Sequence, residues 1–189
     1  MEAGELVLLN KDRIHDPKAK LSLAGLLVIN MAGFYLIYDL TVPPNTISGN
    51  GNPVLLLMVP VTVIFIALNV FLGIKVNHFL QRQSKLTTML IITAMVAVFL
   101  VLLSAEITFV NHLMDQLGGR PDNPNLKIYG WGWLNQYTNS LYFNQYTFTM
   151  GLAVSVSLGA AVALLQTKKS NCAWAVTPGN LRAHETTHH

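Results

Sequence analysis

A single cysteine, Cys172, is all that the 189-residue chain offers for cross-linking. No disulfide can form within the chain, which excludes outer modules held together by cysteine pairs. Charge is equally scarce. Asp, Glu, Lys and Arg make up 11% of the residues, against about 25% in soluble domains, so the composition argues for a lipid environment. Acids are almost missing from the apolar stretches: Glu106 is the only one inside such a run. It lies far from the run's midpoint, whereas a proton-coupled carrier needs an acid near the bilayer centre. No sequence repeat relates the two halves of the chain, so an inverted-repeat transporter built within one chain is not supported.

What is present is apolar length. Four runs, Leu21–Tyr38, Val54–Ile74, Leu86–Val110 and Tyr146–Leu165, make up much of a chain that is 52% hydrophobic. A helix needs roughly 20 apolar residues to cross a hydrocarbon core of about 30 Å, and each run reaches or nearly reaches that length. The expected fold is an all-α integral membrane protein with four transmembrane helices. Residues 21–166 then form one domain between tails 1–20 and 167–189, with outer loops 39–53 and 111–145.

Basic residues assign an orientation. Ten of the twelve Lys and Arg residues lie before the first run, between the second and third, or after the fourth; Arg120 and Lys127 are the exceptions. By the positive-inside rule both termini and the Lys75–Lys85 link face the cytoplasm, and a plasma-membrane location is expected. Topology and attraction to anionic lipid heads account for the net charge of +3, so nucleic acid is not an expected partner. The first twenty residues are polar and charged, and no small-residue cleavage pattern follows the first run, so the first helix is expected to stay as an anchor.

Within the runs, Pro60 is expected to kink the second helix. Helix-compatible sequence in the third continues to Leu117, where Gly118 and Gly119 stop it. Such a helix is on the order of 48 Å long, so it is expected to extend beyond the outer face or to tilt. The second outer loop is rich in aromatics: Tyr129, Trp131, Trp133, Tyr137, Tyr142 and Phe143. Tyr129, Trp131 and Trp133 are candidates for interfacial anchoring or for partner binding, where Trp and Tyr are enriched. In the fourth run Gly151, Ser155, Gly159 and Ala163 recur every fourth residue. They form a small-residue face suited to close helix packing in lipid.

The candidates for chemistry are few. Glu106 is expected close to the outer interface, water-accessible or satisfied by Tyr and Asn groups. Asn30, Asn69 and Asn77 place amides in the first two spans; they serve as glue between helices or line a path. Thr108, His112 and Asp115 share one face of the third helix's outer end. His112 and Asp115 could supply half of a metal site, the rest coming from another chain. His184-Glu185-Thr186-Thr187-His188 matches the H-E-x-x-H pattern, but no apolar helix supports it, and it is expected to bind metal only adventitiously, with His189. His78 and His112 lie at opposite membrane faces, too far apart for a bis-histidine haem within one subunit. No cofactor is expected; bound lipid is.

Three functional readings follow. The first is a non-catalytic accessory or structural subunit of a larger membrane complex, packing through the small-residue seam and the aromatic loop. The second is a homo-oligomeric channel or small transporter. The third is a metal-dependent membrane enzyme subunit whose site another chain completes.

Overall fold

The computed structural model describes residues 17–46, 51–120, 123 and 132–175. Four long helices dominate: α1 (Pro17–Asp39), α2 (Leu55–Leu80), α3 (Lys85–Gln116) and α4 (Gln145–Ala175). A short 3-10 turn, Asn139–Leu141, precedes α4, and there is no strand among the described residues. Each long helix carries a stretch long and apolar enough to cross a membrane.

The helix ends follow local chemistry. Pro17 opens α1, where its missing N–H would lack an intrahelical partner in any case. Ser84 caps α3 with an extended backbone, and its Oγ accepts from Thr87 N at 3.1 Å. At the other end Gly118 and Gly119 take positive φ values of 85° and 132°. Gly119 N donates to Met114 O at 2.8 Å and Gly118 N to Asp115 O at 3.1 Å. This is the paired Schellman closure that a left-handed glycine permits. The helix stop read from the two glycines is therefore observed. Other boundaries extend beyond the apolar runs: α2 continues past Ile74 through Lys75, Asn77 and His78 to Leu80, remaining helical through Pro60.

The helices alternate in direction. Val42 N donates to Gln136 O at 3.0 Å, which brings the two long connections together at one end, called here the long-loop end. The short turn from α2 to α3 lies at the other, the link end. α4 lies between α2 and α3 and packs along both, while α1 packs chiefly on α2. The order across the molecule is thus α1, α2, α4, α3.

Three apolar clusters hold this arrangement. At the link end Leu80 packs with Ala160 and Ala163. At the long-loop end Phe34, Ile37, Met58, Val61 and Phe143 form one cluster, with Phe34 between Phe65, Phe143 and Phe148 at centroid distances of 4.9, 5.0 and 5.1 Å. The tilted and edge-on rings suit the aromatic quadrupole. Leu113, Met114 and Leu117 from the end of α3 bury against Tyr137 and Leu141. The extra turns of α3 are therefore covered by the segment before α4.

Candidate functional site at the long-loop end

Among the described residues, buried polar side chains concentrate in a cap formed by residues 135–144. Asn135, Gln136, Thr138, Asn139, Ser140 and Asn144 are all buried. Asn-Gln-Tyr-Thr occurs twice here, as Asn135-Gln136-Tyr137-Thr138 and Asn144-Gln145-Tyr146-Thr147. The two copies fold alike. Asn135 Oδ1 accepts from Tyr137 N at 2.9 Å, and Asn144 Oδ1 accepts from Tyr146 N at 2.8 Å. The threonine hydroxyls accept from Asn135 N at 3.0 Å and Asn144 N at 3.2 Å. The same hydroxyls donate five residues back, Thr138 to Trp133 O at 2.8 Å and Thr147 to Tyr142 O at 3.0 Å. Asn and Thr side chains substitute in this way for backbone partners that a tight turn leaves free. In the second copy Asn144 also accepts from Thr147 N at 3.0 Å, which makes it the N-cap of α4.

The copies differ in what the asparagine amide holds. Asn135 Nδ2 donates to Gly132 O at 2.8 Å. Asn144 Nδ2 donates to Ser140 O at 2.9 Å and to both carboxylate oxygens of Glu106, at 3.1 and 2.9 Å. Glu106, on α3, is 8% exposed, and no cation pairs with it among the described residues. Its carboxylate lies beside the first turn of α4, where unpaired helical N–H groups favour negative charge. One side chain therefore caps α4, closes the turn before it and ties both to α3.

Further bonds lock the cap to the first connection. Asn52 and Asn139 exchange amide hydrogen bonds at 2.8 and 2.9 Å, and Tyr137 Oη donates to Thr46 O at 3.1 Å. On the outside of the cap Trp133, Leu134 and Tyr142 are exposed. Tyr142 Oη donates to Trp133 O at 3.2 Å, bridging two of the three.

The other candidates from the sequence are dispersed. Asn30 is buried between α1 and α2; its Nδ2 donates to Leu26 O at 2.8 Å and, at a longer 3.4 Å, to Ile64 O. Its Oδ1 has no partner among the described residues. Asn69 donates to Phe65 O at 2.7 Å and accepts from Ser155 Oγ at 2.6 Å, joining α2 to α4. Asn77 accepts from Gln81 at 3.2 Å, and Gln81 in turn bonds Gln166.

The small-residue face of α4 meets α2 of the same chain. A Cβ on Gly159 would stand 2.5 Å from Gly73 O, one on Gly151 would overlap the Phe65 ring, and Ala163 is buried. His112 and Asp115 are exposed, and His112 Nε2 bonds Gln116 at 3.0 Å. Glu106 instead points into the cap. No three His, Cys, Asp or Glu side chains gather among the described residues. Tyr129, Trp131 and the His184–His189 segment lie outside the described residues.

Sequence reasoning missed Asn144, Asn139, Asn52 and Thr138. The repeated tetrapeptide was the available signal, with Asn144 and Thr147 spaced as an N-cap pair directly before an apolar run. Compared with protein-family models, with curated proteins and with solved structures, the chain finds no match.

Proposed function

We propose that this chain is a non-catalytic subunit of a larger integral membrane assembly and docks its partner through the outer surface of the cap. The observation that carries this reading is the exposed trio Trp133, Leu134 and Tyr142 on a cap whose interior asparagines are held by hydrogen bonds to the rest of the chain. Rigid aromatic side chains lose little freedom on binding, and Trp and Tyr dominate interface hot spots. A second surface supports the same reading. Only 6% of the most apolar window of α3 is buried within the chain, leaving a long flank for lipid or a neighbouring helix. The seam of α4 is occupied by α2, so the docking surface proposed here is the cap and this flank.

The polar side chains of the spans also favour a scaffold over a permeation path. Asn69 and Ser155 bond each other, and Glu106 bonds Asn144. The distribution of Lys and Arg supports cytoplasmic termini and an extracellular cap, and with them a plasma-membrane location.

Native mass spectrometry of the untagged protein, extracted gently from its own membrane, tests the proposal. Defined heteromeric masses are expected, and Trp133→Ala with Tyr142→Ala should lower the complexed fraction by about tenfold or more, as loss of two hot-spot residues implies. A wild-type chain found alone or only with copies of itself overturns the reading, and a homo-oligomer would favour a channel.

A further inference from the structure

α1, packed chiefly on α2, and α3, packed on α4, do not pack closely on each other. At the long-loop end this leaves a crevice of about 450 Å³, within the range of small-molecule sites. Its walls are aromatic: Phe34, Tyr35 and Tyr38 from α1, Phe109 from α3, and Tyr146 and Phe148 from α4. Asn144 lines it too, and the Asn144 amide holds both oxygens of Glu106. A carboxylate with no paired cation among the described residues thus stands one hydrogen bond behind the wall. Phe109 follows Glu106 by three residues and so shares its flank of α3.

Charge at this end has one prevailing sign. Among the described residues it carries Asp39, Glu106 and Asp115 against Arg120 alone, and Asp39 adjoins Tyr38 at the end of α1. Aromatic faces attract cations through the ring quadrupole, most strongly where water is displaced. A negative local field adds to that attraction and disfavours an anionic head. Tyr35 is 69% exposed, so the crevice opens sideways, toward the level at which a span ends and lipid heads begin.

We infer that the crevice binds one membrane lipid whose head carries an ammonium group, with the head among the aromatic rings and the acyl chains along α1 and α3. The site is separate from the exposed trio on the cap and does not depend on the docking reading.

The test is lipid retention by the purified full chain in native mass spectrometry after delipidation in detergent. Phosphatidylethanolamine and phosphatidylcholine are compared with phosphatidylglycerol of the same acyl chains. The wild type should retain the ammonium-headed lipids about fivefold or more over phosphatidylglycerol. Tyr35→Ala, at an exposed wall position, should weaken that retention by about fivefold, the scale of one cation–π contact. Glu106→Gln keeps an oxygen for the Asn144 amide and should erase the head preference. Equal retention of all three lipids by the wild type overturns the inference, as does a preference that survives both substitutions.

Discussion

Asn144 does three things with one amide group. Its oxygen caps α4, accepting from Tyr146 N and Thr147 N, while its nitrogen serves Ser140 O and the Glu106 carboxylate. Losing a helix cap costs about 0.5–2 kcal/mol. Leaving a buried acceptor without its donor costs about 1–3 kcal/mol, more for a charged group. Asn144→Ala should therefore destabilise the protein by roughly 2–4 kcal/mol. Asn135→Ala removes the equivalent turn but no carboxylate contact, and should cost about 1 kcal/mol. Thermal unfolding of both variants in detergent checks this. In a Glu106→Met background the cost of Asn144→Ala should fall to that of the cap alone. If the two asparagine variants melt at one temperature, the Glu106 contact contributes nothing to stability.

At the level of elements, the contact between α2 and α4 is governed by backbone approach. A Cβ on Gly159 would stand 2.5 Å from Gly73 O, a main-chain atom that moves only if its helix moves, whereas at Gly151 the obstacle is the far edge of the Phe65 ring. Gly159→Ala should push α4 off α2 and lower the melting temperature more than Gly151→Ala. Gly25→Ala, where nothing lies within 4 Å, should leave stability unchanged or raise it by up to about 1 kcal/mol. Equal effects at Gly159 and Gly25 would show that the close approach is not limiting.

Much of this scale was legible in the sequence. Apolar length located the four helices, and Gly118 and Gly119 marked the end of α3. The fourfold spacing in α4 describes a face of small side chains, and Gly151 and Gly159 of that face lie against α2. Which helix fills that face was not legible, because a small-residue spacing describes one surface and leaves its partner open. The cap was hidden for a different reason. Asn135–Asn144 has the composition of a solvated loop, and burial of such a segment depends on partners distant in sequence: Asn52 for Asn139, Thr46 for Tyr137, Glu106 for Asn144. An Asn or Tyr partner for Glu106 near the interface is legible in the sequence, yet no local pattern names Asn144 as the amide that receives it.

On the scale of the whole molecule, the two ends are chemically unlike. The link end carries Lys75, Arg82 and Lys85 close to the turn between α2 and α3, while the long-loop end closes over buried amides. Moving a cluster of basic residues across a bilayer during insertion is unfavourable, so the link end should remain in the cytoplasm with both tails. Cys172, the sole cysteine, belongs to the final turns of α4, on the side opposite the cap. A membrane-impermeant maleimide should therefore leave Cys172 unlabelled in intact cells and modify it after permeabilisation. Leu134→Cys in a Cys172→Ser background should show the opposite pattern, because Leu134 is exposed on the cap. Reversal of both patterns would invert the molecule in its membrane and turn the aromatic trio toward cytoplasmic partners. Labelling of both positions from outside would require an even number of crossings between them, whereas α4 supplies a single one, so that outcome would show that α4 does not span the membrane.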